Sequence, residues 1–352
     1  MNSSKWLMAG ALCLASFTGA AYAQAKDTAK TLPKVVVLST GGTIAGESRS
    51  STDTTNYTAG QRSGDQLVKA VPEIAKVADV EVEQVVNISS PNMQYSHLLA
   101  LSKAANKYLA DPSVSGVVIT HGTSTAEETA LFMDLTVKSS KPVIVVGAMR
   151  PATAISADGP FNLLQAIALA VHPSARDRGA LLVSNDRISS AMYVSKTNTQ
   201  SLDTFQAAEQ GHLGLMVGTK PYFYFTPASV PGKPYFDVSK TENLPKVEIL
   251  YGYIENDAGM LDHLVGTGTK GVVVAGPGNS SLSKAMVEKI TKLQADGYPV
   301  VRATRVGAGI VTPKKEGIAA GFYNPQKARL LLALAINEGA DLKKTQKYFL
   351  PD

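Results

Sequence analysis

The chain has 352 residues, 44% of them apolar and 18% charged, with a formal charge of +5 at pH 7. That length suits two cores better than one, and that balance excludes a disordered chain. The positive excess contains no basic run, so neither nucleic acid nor a membrane surface is an expected partner.

In chain order, residues 1–23 read as a secretory leader. Lys5 gives the positive start, Leu7 to Ala15 the apolar centre, and Ala21-Tyr22-Ala23 the small-residue cleavage site. The apolar run is too short to span a bilayer. Cys13 is the single cysteine, and Leu12 before it does not suit lipoprotein processing. Cleavage after Ala23 removes Cys13 and Trp6, so the mature chain is expected to hold neither cysteine nor tryptophan. Disulfide and thiol chemistry are then unavailable, and the few histidines show no metal-ligand spacing. No metal and no cofactor are expected, and the leader points to the periplasm.

From Lys34 onward apolar runs recur at 35–38, 82–86, 116–119, 143–146 and 180–183, with helical periodicity at 96–110, 126–138 and 160–171. This rhythm predicts an α/β fold with a mainly parallel sheet flanked by helices. The catalytic domain is expected over 32–226. Alternation over Arg187 to Thr199 suggests a hairpin carrying Lys196. The Pro/Gly/Lys-rich passage 227–245 reads as a linker. A smaller α/β domain follows over 246–352, with strands at 247–250, 271–275 and 299–303 and helices near 280–295 and 325–338.

Two strand ends stand out. Val117 to Thr120 reads as a buried strand stopping at His121-Gly122, after which Thr123, Ser124 and Thr125 lead into a helix. Ser124-x-x-Glu127 and Thr125-x-x-Glu128 both fit capping boxes. A hydroxyl-rich strand-to-helix turn lies where open α/β sheets bind ligands, and a helix N-terminus suits a substrate carboxylate. Taken alone, these hydroxyls read as helix caps. Lys34 to Ser39 is a second such strand, running into Gly41-Gly42-Thr43, where glycine lets the backbone turn and approach a ligand. Neither phosphate-loop signature is present, so nucleotide binding is set aside. A threonine just past glycine at each of two strand ends points to a hydroxyl nucleophile awaiting a base.

Ser39-Thr-Gly-Gly-Thr-Ile-Ala-Gly46 and Ile119-Thr-His-Gly-Thr-x-Thr-x-Glu-Glu-Thr129 resemble the two signatures of bacterial type II L-asparaginases. Asn56-Tyr-Thr58, Val146-Gly-Ala-Met-Arg-Pro151, Ser156-Ala-Asp-Gly-Pro-Phe-Asn-Leu163, Ser195-Lys-Thr-Asn-Thr199 and Asn324-Pro-Gln-Lys-Ala-Arg329 extend the resemblance from about Leu32 to the chain's end. It implies a periplasmic amidohydrolase that releases ammonia from L-asparagine through an acyl-enzyme. By the same resemblance Thr43 is the nucleophile, Tyr57 its contact in the lid-like segment 47–60, and Thr123 the second threonine with Lys196 as its partner. Ser90 binds the substrate's α-carboxylate, and Asn279 is donated to a neighbouring subunit in a homo-oligomer, expected to be a tetramer. The loop 305–317 is shorter than the family's, and Glu316 is the candidate for the acidic residue given across the interface.

Two positions depart from the pattern. The family has Gln or Glu after the carboxylate-binding serine and Asp after the second threonine, and both receive the substrate's α-ammonium. This chain has Pro91 and Ser124 there. Three alternatives stay open beside an asparaginase: a glutaminase-asparaginase, an amidase for an acid amide lacking a free α-amino group, and a ligand-binding protein that has lost catalysis.

Overall fold

The computed structural model describes residues 31–228 and 232–351; the leader, with Cys13 and its cleavage site, lies outside the described residues. The first part of the chain alternates as its periodicity predicts: β1 (Lys34–Gly41), α1 (Gly64–Lys69), β2 (Asp79–Ile88), α2 (Tyr95–Ala110), β3 (Val114–Thr120), α3 (Ala126–Thr136), β4 (Val143–Val146), α4 (Gly159–Val171) and β5 (Ala180–Ser184). Five short strands follow: β6 (Arg187–Ser190), β7 (Ser195–Lys196), β8 (Phe205–Gln206), β9 (Gly214–Val217) and β10 (Lys220–Phe223). The second part runs β11 (Val247–Tyr251), α5 (Gly259–Gly266), β12 (Gly271–Gly276), α6 (Lys284–Ala295), β13 (Val300–Thr304), β14 (Ile318–Ala319), α7 (Pro325–Asn337) and α8 (Leu342–Phe349).

Among the described residues the strands build an eight-stranded sheet in the order β10-β9-β6-β5-β4-β3-β1-β2, a four-stranded sheet β11-β12-β13-β14 and a two-stranded ladder β7-β8. In the large sheet β2, β1, β3, β4 and β5 run parallel, and β6, β9 and β10 extend it antiparallel. The small sheet is parallel throughout. Period-two alternation sorts the side chains of β1. Val35 and Val37 pack with α4 residues such as Leu163 and Ile167, whereas Val36 and Leu38 pack with Leu101, Leu131 and Leu135 of α2 and α3. The second of these clusters continues into Leu331 and Leu334 of α7 and Val273 of β12, so the two sheets share one core.

Two expectations are corrected, and one is refined. The residues Arg187 to Thr199 do not form one hairpin. The turn lies earlier, at Asn185 (φ 49°) and Asp186 (φ 65°), left-handed positions that Asn and Asp tolerate, and it joins β5 to β6. Lys196 sits instead on β7, whose only ladder partner among the described residues is β8, with Lys196 opposite Phe205. The passage 227–245, read as a linker, is packed against α3 where it is described. Phe236 and Val238 are buried, the Phe236 N–H donates to the Leu135 carbonyl at 2.9 Å, and Lys233 pairs with the buried Asp134 at 2.9 Å. It straps the second sheet to α3. Neither capping box before α3 forms: the N-cap is Thr125, with no side-chain cap, and its hydroxyl donates to the Ser90 carbonyl at 3.0 Å. The helix is buried on nearly every side, so its glutamates are drawn inward to other partners.

Candidate active site

β1 and β3 are neighbours in register, Ser39 opposite Thr120, so their carboxyl ends arrive side by side. Gly42 then turns with φ 80° and ψ −168°, backbone that only glycine adopts readily. A Cβ on it would lie 2.3 Å from both the nitrogen and the Cα of Gly122. A Cβ on Gly122 would in turn stand 2.7 Å from Ser90 Oγ. Backbone contact between these glycines therefore brings together the residues that follow them, Thr43 and Thr123, with Ser90 alongside. All three are at least nine-tenths buried.

Each threonine hydroxyl has one side-chain partner. Thr43 Oγ1 lies 2.6 Å from Tyr57 Oη. The segment 47–60 that carries this tyrosine is closed at its base by paired Glu47 and Thr58 backbones, and Ser48 is tied to Thr153 at 2.9 Å. At its tip, backbone N–H groups of Asn56 and Thr55 donate to Asp53 and hold that carboxyl below its usual range. Thr123 Oγ1 accepts from Lys196 Nζ at 2.8 Å. Burial lowers the Lys196 amine from its ordinary value, while the Glu127 carboxylate pulls it back up. A lysine brought toward neutrality within hydrogen-bond reach of a hydroxyl can take its proton. From the other side, the Asp158 carboxylate accepts from the Met149 and Arg150 N–H groups at 2.8 and 2.9 Å, and Asn162 donates to the Gly147 carbonyl at 3.0 Å. These bonds fix the turn after β4 against Thr123, whose methyl lies 3.1 Å from the place a Gly147 Cβ would take.

The other expected residues are less buried than these. Ser124 and Pro91 are exposed. Asn279 is exposed at the carboxyl end of β12, where its amide exchanges hydrogen bonds with Thr312 at 2.8 and 3.0 Å. Glu316 is partly buried, and its carbonyl accepts from Arg302 Nε at 2.7 Å. Among the described residues no group of three His, Cys, Asp or Glu is arranged to hold a metal, and no helix is long and apolar enough to cross a membrane.

Sequence reasoning missed two buried groups beside Thr123. Glu127, read as a cap, accepts from the Lys196 backbone N–H at 3.2 Å and from Gln326 Nε2 at 2.6 Å. His121 is fully buried, with Nδ1 2.8 Å from the Gly122 carbonyl and Nε2 2.9 Å from Thr129 Oγ1. A carbonyl only accepts, so Nδ1 carries the proton and Nε2 receives the threonine O–H. Burial pushes this imidazole down to about 4, so it stays neutral and braces the turn that presents Thr123. Its place in a Thr-His-Gly run at a strand end was the available signal.

Two buried threonine hydroxyls, one held by a lysine, at the carboxyl edge of a parallel sheet are chemistry suited to acyl transfer. Residues 34–229 match the family model described as "Asparaginase, N-terminal", and residues 246–349 match the "Glutaminase/Asparaginase C-terminal domain". The chain is similar to L-asparaginase 2 of Bacillus subtilis, with 46% identity covering 91% of this chain and 87% of that one. It is also similar to the probable periplasmic L-asparaginase of Haemophilus influenzae, with 42% identity covering 96% and 97%. A crystal structure of a probable cytoplasmic L-asparaginase from Campylobacter jejuni has the same fold, with a TM-score of 0.86 and 46% identity covering 91% and 99%. The chain belongs to the asparaginase family and is an amidohydrolase.

The buried histidine has a measurable consequence. An unfolded chain protonates His121 near pH 6.5 and the folded one near 4. Its contribution to stability is therefore complete above 6.5 and is lost as pH falls toward 4. His121→Gln is destabilised at pH 7, and its deficit against the parent chain narrows by about 2–3 kcal/mol between pH 7 and about 4.5. Urea midpoints of both proteins at the two pH values check this; a deficit that does not change with pH assigns the proton elsewhere.

Proposed function

We propose that the chain hydrolyses the side-chain amide of L-asparagine to L-aspartate and ammonia, with Thr43 as nucleophile. The observation that carries this reading is the Lys196–Thr123 hydrogen bond standing beside the Thr43–Tyr57 pair across the Gly42–Gly122 contact. Thr43 Oγ1 attacks the carboxamide carbon, and its proton passes out through the paired hydroxyls. Lys196 takes up that proton through Thr123 Oγ1 and returns it through the same hydroxyl to the carboxamide nitrogen; the C–N bond then breaks, ammonia leaves and Thr43 is left acylated. Water then adds to the acyl-threonine ester and releases aspartate, restoring the hydroxyl. Two buried threonines with their lysine intact favour this over a ligand-binding protein without catalysis.

The substrate's head group meets Ser90 and Ser124. A carboxylate suits the Ser90 hydroxyl and the neighbouring N–H groups of the turn before α3. The ammonium meets no acidic side chain at either departing position, because Pro91 and Ser124 carry none. The reading therefore includes a broadened substrate range toward acid amides without an α-amino group, and weak glutaminase activity, since a longer substrate needs a firmer grip.

The assembly in this reading is a homotetramer in which Asn279, and Glu316 with it, completes a neighbour's site. Support comes from the carboxyl edge of the small sheet, where Tyr251, Tyr253 and Ile254 are 55%, 58% and 90% exposed beside the strand end that leads to Asn279. Such apolar exposure is characteristic of a surface that a partner covers. Periplasmic location, and with it the type II class, rests on the leader pattern of Lys5, residues 7–15 and Ala21-Tyr22-Ala23. The relatives' names include both a periplasmic and a cytoplasmic protein.

Thr43→Val and Thr123→Val each keep the side-chain shape and lose at least about a thousandfold in ammonia release, with unchanged circular dichroism. Near-normal turnover in Thr43→Val removes it as nucleophile.

Each missing charge-assisted bond to the ammonium is worth roughly 1.5–3 kcal/mol, and 1.4 kcal/mol is about tenfold. The preference for asparagine over succinamate is therefore smaller, by roughly a hundredfold or more, than in the double variant Pro91→Gln with Ser124→Asp. The measurement is kcat/KM for both amides on both proteins, and equal preferences mean that other groups hold the ammonium.

Light scattering at assay concentration is expected to give a tetramer, and Asn279→Ala to lower kcat/KM without changing its mass. A fully active monomer would place Asn279 outside the site.

A further inference from the structure

The first turn of α7 reaches across from the second sheet to the short strand that carries Lys196. Asn324, its N-cap, donates to Ser195 Oγ at 3.0 Å. Gln326 donates to Glu127 Oε1 at 2.6 Å, and the other oxygen of that carboxylate receives the Lys196 backbone N–H. Lys327 is fully buried, 1% exposed. Its ammonium donates to the carbonyls of Ala191 and Met192, each at 2.9 Å, and to that of Val194. Three N–H groups meet three carbonyls, so the ammonium is satisfied. Every one of these bonds ends on residues 191–196 or on Glu127.

A buried ammonium is costly, and a Met of similar length would fill the space without a charge. Its charge has a counterpart in Glu127, also buried, whose carboxylate acts on Lys196 and on Lys327 alike. The other charged groups around this layer are Glu128 and Asp134 of α3, which face Lys327, Arg329 of α7, which faces Glu128, and Lys233, which pairs with Asp134. Glu127 pulls the Lys196 amine upward, against the burial that lowers it.

We propose that Gln326 and Lys327 are positioning residues for Lys196: from the second domain they fix the strand that carries it and balance the charge of Glu127 behind it, leaving its amine free to accept a proton from Thr123. This rests on the reading of Lys196 as a base. Burial pushes Lys327 down to about 8, against the pull of Glu127, Asp134 and Glu128, so it is a cation at neutral pH. Gln326 ties up one carboxylate oxygen, and Lys327 anchors the three carbonyls that lead into β7. That ladder, two residues on each strand, is too short to hold Lys196 in place alone.

The pH profile of kcat/KM for ammonia release from asparagine separates this role from a merely structural one. Its acid limb follows the proton on Lys196. Lys327→Met removes the cation and moves the limb upward by about one pH unit, a tenfold loss on the limb itself. Glu127→Gln removes the anion and moves it downward by a similar amount, and the double variant lies between them. Gln326→Leu lowers kcat more than it raises KM. Limbs that stay in place, or move in the same direction in both single variants, overturn the proposal. Should Lys327→Met not fold, Glu127→Gln decides: a limb that is unmoved or shifted upward overturns it. Lys196→Met tests the underlying reading separately. If that variant keeps the parent's activity and acid limb, the base assignment fails; if it is inactive while the limbs of the others stand still, only the present proposal fails.

Discussion

The site depends on two glycines touching. Gly42 and Gly122 end adjacent parallel strands, and their backbones are so close that a single Cβ would sit 2.3 Å from the opposite Cα. No side chain can adapt to that, because the obstacle is main chain. The contact converts a general property of parallel sheets, that strand ends gather at one edge, into a specific one in which two threonines stand together. What surrounds it keeps it shut. Gly42 N–H donates to the Ile88 carbonyl at 2.9 Å, Gly60 N–H donates to the Gly42 carbonyl at 3.1 Å, and His121 braces the opposite turn.

Charge is handled in the same region by three groups, two buried and one half-buried, driven toward different states by one cause. Desolvation lowers His121 to about 4, lowers Lys327 to about 8 and raises Glu128 to about 7. The histidine has two neutral partners and stays neutral. The lysine has three carbonyls and nearby carboxylates, so it keeps its proton at neutral pH. Glu128 has Arg329 to draw it down and Glu127 to push it up, which leaves it near the middle of the physiological range. Lys196 is only partly buried and feels a smaller version of the same force. Burial thus does most of the tuning, and the partners decide how far each group follows it.

The strands and helices of both sheets were readable because their apolar periods are long and unbroken, as in β3, α2 and α7. The short elements were not. β7, β8 and β14 have two residues each, too few for any period to register, and the turn at Asn185-Asp186 was hidden inside a run that alternates on both sides of it. Among the candidate site residues, Thr43 and Thr123 stand out through the glycines before them. Lys196 does not, since a lysine in a polar stretch looks like any solvated lysine until the fold carries it to Thr123. Glu127 misled because a local pattern, hydroxyl then glutamate three residues on, has a ready local explanation. Tertiary partners 69 and 199 residues away took the glutamate instead. Lys327 could not be seen as buried at all: it stands in a polar first turn between Gln326 and Arg329, and only the three carbonyls of another segment explain a buried cation there.

The division of labour between the two sheets follows from these contacts. The large sheet supplies the threonines, because only neighbouring strand ends can be brought that close. It does not hold its own lysine firmly, for the antiparallel extension leaves β7 outside the main ladder with a single two-residue neighbour. The second sheet presents α7 along the shared core, with Leu331 and Leu334 packed into the cluster that contains Leu131 and Leu135 of α3. The polar first turn of α7 lands beside β7 because the apolar turns that follow it are fixed against α3. The hydrophobic seam between the sheets therefore sets the position of the lysine. A substitution in that seam, far from any reacting atom, would be felt at Thr123 through a shift of α7 before it was felt as a loss of fold.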